Sequence, residues 1–134
     1  MIGVILVTHR GLSESLLDTA EHIVGKKEYI QAVGIYPGEG LDTLNKKIQE
    51  IIGKWKEVEG VLILVDMFGG TPCNASLKFL NCDEVEVVSG VNLAMVLTAI
   101  TQRNNCDLKD LTVKITDAAK ENILRIKDVA KGCK

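Results

Sequence analysis

Two residues far apart in the chain, His9 and Asp66, have the types that an oriented imidazole requires. A carboxylate accepting from one ring nitrogen fixes the tautomer and leaves the other nitrogen's lone pair outward, which makes the histidine a nucleophile or a base. Shortly after Asp66 comes Gly69-Gly70-Thr71-Pro72. Thr71 before Pro72 reads as a helix N-cap with proline at the first helical position. Gly70 and Thr71 then offer backbone N–H groups to an anion at the helix start. With such donors beside a histidine, the incoming group is a phosphoryl, whose transfer needs positioning and charge stabilisation more than covalent machinery. Arg10, next to His9, either attracts phosphate or stays solvated. Each residue also has a plainer reading: His9 as a bystander at a strand end, Asp66 as a turn former, the glycines as a turn. Their convergence on one sheet edge is what favours chemistry.

That convergence rests on the elements around them. Val61 to Ser76, VLILVDMFGGTPCNAS, reads as strand, tight loop, helix, because a short apolar run ended by an acid and glycines is the pattern of a strand buried on both faces. Ile2 to Val7 is an equally apolar first strand, ending at Thr8-His9-Arg10-Gly11. Leu12, Leu16, Leu17, Ala20, Ile23 and Val24 form a helical stripe that Gly11 or Ser13 starts and Gly25 stops. Tyr29 to Tyr36 is a second strand, followed by the Pro37-Gly38-Glu39-Gly40 loop and a helix over Leu41 to Trp55. A third helix runs from about Pro72 to Leu80, a fourth strand covers Glu84 to Val88 and ends at Ser89-Gly90-Val91-Asn92, and Leu93 to Gln102 is an apolar helix of the core or of a subunit interface. Leu108 to Ala130 has a helical pattern. Strands alternating with helices predict right-handed βαβ units in an α/β fold, a parallel sheet between two helical layers. In the strand order 2-1-3-4, His9 and Asp66 come within hydrogen-bond reach at the carboxyl edge, where such sheets bind ligands.

The 134 residues make one domain, 1–134, with a net charge of -2 and interspersed charges, which argues against a nucleic-acid surface. No apolar run approaches the roughly 20 residues of a membrane span. MIGVILV at the start lacks a basic leader and a cleavage site, so no signal peptide is read. Cys73, Cys82, Cys106 and Cys133 form no CxxC pair, which argues against a metal site and for reduced thiols in a cytosolic protein. Cys73 lies in the first turn of the third helix, where a thiol can become reactive. His22 reads as a helix residue with no role. No GxGxxG follows the first strand, which disfavours a dinucleotide-binding domain.

Four segments resemble the EIIA domain of the mannose-type sugar phosphotransferase system: Thr8-His9, Pro37-Gly38-Glu39, Leu64 to Ala75 (LVDMFGGTPCNA), and Ser89 to Met95 (SGVNLAM). The third is the most specific. The resemblance spans nearly the whole chain. It implies a parallel sheet flanked by helices, with or without an extra edge strand near the C-terminal part that subunits exchange, and a homodimer. It implies that His9 is the phosphorylated histidine, Asp66 its orienting carboxylate and Thr71 a hydroxyl lining the pocket. Such a protein takes phosphate from the carrier HPr and passes it to an EIIB partner, needs no cofactor, is cytoplasmic, and meets the membrane only through the permease. Two alternatives stay open: a regulatory phosphorylation sensor using the same His9, and the phosphocarrier subunit of dihydroxyacetone kinase. One position departs from the family's Thr-His-Gly: Arg10 stands at the glycine, with Gly11 one place later. Glycine there permits close approach or positive φ, so the change bears on the phosphate pocket and on partner docking.

Overall fold

The computed structural model describes residues 1–130. The expectation for Cys133 lies outside them. Four parallel strands, β1 (Ile2–His9), β2 (Ile30–Ile35), β3 (Gly60–Val65) and β4 (Val85–Ser89), form one sheet in the order β2-β1-β3-β4. Among the described residues the helices are α1 (Leu12–Val24), α2 (Leu41–Lys54), α3 (Thr71–Leu77), α4 (Leu93–Gln102), α5 (Leu108–Glu121) and α6 (Ile126–Val129), and α3 tightens into a 3-10 turn over Lys78–Asn81. This is the order and layering that the sequence predicts, with strand ends shifted by a residue or two. Among the described residues there is no fifth strand.

The two central strands explain the layers. Seven of the eight residues of β1 and all six of β3 are buried, so both faces of the sheet must be covered. Val4, Leu6, Leu62 and Leu64 pack against Ala20, Met95, Val96, Ala99, Leu111, Ile115 and Ala119 from α1, α4 and α5. Ile5, Val7, Ile63 and Val65 face the other way, onto Leu44, Ile48, Ile51, Cys73 and Ala75 from α2 and α3. This alternation is the period-2 geometry of strands. It settles the position of α4, which belongs to the core. His9 is the one exposed residue of β1 and still belongs to the strand, paired with Ile35 of β2.

Three expectations change. The helical pattern of 108–130 breaks at Asn122. Asn122 falls where the stripe of Leu111, Ile115 and Ala119 needs its next apolar residue, and its side-chain amide donates to the Ala118 carbonyl (2.9 Å). A polar side chain that competes for helix carbonyls ends the helix, and Ile123, Leu124 and Ile126 beyond it are exposed. Thr71 is not the N-cap of α3. Gly70 is already extended there (φ -79, ψ 171), and Thr71 and Pro72 lie inside the helix. Leu12 and Ile23, placed on the α1 stripe by periodicity, are exposed, because that helix buries only a narrow face around Ala20.

Candidate functional site

In-register strand ends bring the site together. β1 and β3 pair as far as Val7 with Val65, so the next residues of each strand leave the sheet side by side. Asp66 Oδ2 accepts the backbone N–H of His9 (3.0 Å) and contacts its ring Nδ1 (2.7 Å), while Oδ1 accepts the Met67 amide (3.1 Å). Burial pushes the Asp66 pKa up, but the bonds from the His9 amide and ring outweigh it and leave it below its ordinary 3.8. The carboxylate is thus ionised at neutral pH and can only accept. Nδ1 must carry the hydrogen, and a neutral His9 ring presents the Nε2 lone pair away from Asp66.

The wall next to Nε2 requires a bare backbone. A Cβ on Gly70 would lie 2.8 Å from His9 Cε1 and 3.5 Å from Nε2, so a side chain there would displace the ring. The same close approach sets the start of α3 beside His9. The first intrahelical bond of α3 is from the Asn74 amide to the Gly70 carbonyl (2.9 Å), so the preceding amides have no acceptor within the helix. His9, Arg10, Ile35, Tyr36, Pro37, Gly38, Glu39 and Thr71 line one open cleft of about 290 Å³.

Below the surface, the fully buried Thr8 fixes the backbone that carries His9. Its hydroxyl accepts the Ser13 amide (2.7 Å) and donates to the His9 carbonyl (3.2 Å). Gly11, the N-cap of α1, has no side chain with which to do this. Arg10 is left-handed (φ 46), a conformation that costs a non-glycine residue roughly 1 kcal/mol or more. It is exposed and lines the cleft.

The structure therefore gathers His9, Asp66, Gly70, Thr71 and Arg10 in one place. It separates others from them. The Ser89-Gly90-Asn92 loop does not line the cleft: Asn92 caps α4 by accepting from the Met95 amide (2.9 Å) and donates to the Ala119 carbonyl (3.1 Å). Cys73 is buried against the core, where a thiol is inert. His22 is exposed on α1. Sequence reasoning missed Thr8, Tyr36 and the exposed pair Met67-Phe68. An apolar pair between an acid and two glycines, where no helix or strand can bury it, was the available signal for the last.

A parallel α/β domain with a carboxylate-oriented histidine at the carboxyl edge of its sheet is the class that fold and site define. The chain belongs to the mannose-type EIIA family, described as PTS system fructose IIA component, which matches residues 3–116. It is thus a component of a phosphotransferase system. Similar proteins include the fructose-specific EIIA component of Bacillus subtilis, 37% identical over 83% of this chain and 77% of that one. The sorbose-specific EIIA component of Lacticaseibacillus casei is 33% identical over 81% of this chain and 78% of that one. The mannose-specific EIIAB component of Escherichia coli is 30% identical over 94% of this chain, which spans 40% of that longer protein. The crystal structure of phosphotransferase system component EIIA from Streptococcus agalactiae superposes with a TM-score of 0.88 at 27% identity, covering 96% of this chain and 99% of that one.

The Asp66 contacts carry a pH signature. A carboxylate whose folded pKa lies below its unfolded value contributes stability above the unfolded value and loses it as pH falls through the folded one. Asp66→Asn is therefore expected to lower the unfolding free energy by roughly 1 kcal/mol at neutral pH. The gap from the unsubstituted protein should close as pH falls below the ordinary 3.8. Urea titrations at neutral and acid pH measure it, and a gap independent of pH would contradict the assignment.

Proposed function

We propose that this protein is a phosphocarrier, in which His9 Nε2 accepts a phosphoryl group from phospho-HPr and passes it to an EIIB partner for sugar uptake and phosphorylation. The observation that carries the reading is the 2.7 Å contact between His9 Nδ1 and Asp66. In the first transfer the Nε2 lone pair forms a bond to phosphorus as the donor's own N–P bond breaks. The Nδ1 hydrogen stays on the ring, and the positive charge that develops there faces the Asp66 carboxylate. The second transfer reverses these roles, with EIIB supplying the nucleophile. Gly70 and Thr71, at the start of α3, and Arg10 form the phosphate-binding set. The group is held at the edge of a shallow cleft, where a macromolecular acceptor can reach it.

The surroundings suit a protein partner. Phe68 is 82% exposed and Met67 56% exposed on the loop that carries Asp66, and Leu12, Tyr36 and Leu41 are exposed on neighbouring loops and helix starts of the same edge. Apolar and aromatic side chains around a polar centre are the make-up of a protein interface core. A cytoplasmic location belongs to the same proposal, with the membrane reached only through the permease. Among the described residues no helix is long and apolar enough to cross a membrane.

A homodimer belongs to it as well. Ile123, Leu124, Ile126 and Val129 are each exposed beyond the break at Asn122, Arg125 is extended (φ -77, ψ 114), and among the described residues β4 is an edge strand with no further strand paired to it. An exposed apolar segment near an open strand edge favours association with a second copy.

Phosphoenolpyruvate, enzyme I and HPr should label the protein on His9, mapped by mass spectrometry under alkaline conditions. His9→Ala should abolish the label and keep the fold; label on His22 would refute the assignment. Asp66→Asn should slow acceptance about tenfold or more, the factor equivalent to about 1.4 kcal/mol of lost orientation. Label on His9 with no onward transfer to any EIIB would leave the sensor reading in place of the carrier one. In light scattering after gel filtration, the double variant Ile123→Asp, Leu124→Asp should elute as a monomer and the unsubstituted protein as a dimer; identical masses would remove this segment from the interface.

A further inference from the structure

Arg10 keeps its left-handed backbone because the end of β2 forms a seat for it. The Arg10 amide donates to the Ile35 carbonyl (2.9 Å). The Arg10 carbonyl oxygen occupies the place where a side chain on Gly34 would begin: a Cβ there would stand 2.2 Å from that oxygen and 3.0 Å from its carbon. The Tyr36 ring closes the seat, with its Cε2 3.1 Å from the same point and its hydroxyl 3.8 Å from where a Cβ on Gly11 would be. Tyr36 is itself fixed at both ends. Its hydroxyl donates to Glu14, and its amide donates to Glu39 Oε1 (2.9 Å). Glu39 Oε2 in turn accepts from Lys47 (2.7 Å), which also reaches the Gly34 carbonyl (3.4 Å).

Gly34 is not among the residues that line the cleft; its partner across the strands is Thr8, one residue before His9. The φ of Gly34 is not in the left-handed region, so no turn explains the glycine. Only the approach of Arg10 does. The next residue along the chain from His9 is thus locked against β2 at a backbone atom, which sets where the Arg10 side chain starts on the cleft wall. We propose that Gly34 is a positioning residue for phosphoryl transfer: its missing side chain seats the Arg10 carbonyl and so places the Arg10 guanidinium beside the phosphoryl group on His9. The inference rests on the phosphocarrier reading and adds to it the device that holds the cation in place. A left-handed arginine is then strain kept for function rather than a neutral change from glycine.

The experiment is a cycle of variants, Gly34→Ala, Arg10→Gly and the two together, assayed with phospho-HPr as donor. Each single variant should lower the rate at saturating donor about tenfold with little change in apparent KM. The double variant should be no slower than Arg10→Gly alone, because without the guanidinium the seat has nothing to position. Arg10→Gly should also unfold at a higher temperature than the unsubstituted protein, since glycine relieves the left-handed strain. The nitrogen NMR signature of a hydrogen on His9 Nδ1 should persist in all three. Losses that multiply in the double variant, or a folded Gly34→Ala protein that transfers at the original rate, would overturn the proposal. Should Gly34→Ala fail to fold, Tyr36→Ala removes the other half of the seat without adding an atom, and the same cycle with Arg10→Gly decides. An unsubstituted protein that takes no label on His9 would overturn the phosphocarrier reading and this proposal together; a labelled one with additive variants overturns this proposal alone.

Discussion

One carboxylate oxygen organises this molecule's functional edge. Asp66 Oδ2 takes both the main-chain N–H and the ring Nδ1 of His9, and its sister oxygen takes the Met67 amide. Three donors on one side chain leave the carboxylate little freedom, and the two bonds to His9 fix both where the residue leaves the strand and how its ring is turned. The arrangement requires that β1 and β3 be neighbours, parallel and in register at their ends, which Val7 against Val65 provides. Residues buried on both faces of those strands make the register hard to slip, since a one-residue shift would turn every side chain to the other layer. The packing of the core and the tautomer of one histidine are therefore parts of the same constraint.

Close backbone approaches do the remaining work around that pair. Gly70 lets the start of α3 come up against the His9 ring, and Gly34 lets the Arg10 carbonyl settle on β2. Thr8 replaces the side chain that Gly11 lacks at the start of α1. The loop between β1 and α1 is short, so its few residues are held on three sides: by Asp66 from β3, by Ile35 from β2, and by Thr8 from beneath. Rigidity of this kind suits the proposed phosphocarrier role, in which one group is presented to successive partners in one geometry.

Much of this was legible in the sequence, and for identifiable reasons. The strands read clearly because β1 and β3 are continuous apolar runs; crossover handedness favours a parallel sheet without choosing neighbours, and the order 2-1-3-4, assumed from the sequence, is the one the sheet adopts. His9 and Asp66 stood out because each ends such a run. What stayed hidden depended on atoms that one-dimensional patterns do not encode. The register that makes Asn122 interrupt the stripe of α5 appears only once Ile115 and Ala119 are seen against the sheet. Thr71 has the residue type of an N-cap, yet Gly70 enters the extended conformation first. Gly34 carries no signal inside the Tyr29 to Tyr36 strand, and its reason lies 24 positions away in the carbonyl of Arg10.

The loops at the carboxyl edge of the sheet divide into two groups, and the division has a physical cause. Those after β1, β2 and β3 line the cleft because these three strands are adjacent and their loops are short. The loop after β4 is drawn away by Asn92, which starts α4 and donates to the Ala119 carbonyl near the end of α5. That bond anchors the last turns of α5 to the sheet edge, just before the chain leaves the fold at Asn122 and exposes Ile123 and Leu124. The exposed apolar segment thus departs from the side of the sheet occupied by β4, while Phe68 and Met67 project from the loop beside His9. A second copy covering the first surface and a transfer partner covering the second would meet different loops. Under the proposed function, self-association and phosphoryl transfer would then draw on different loops of one small domain.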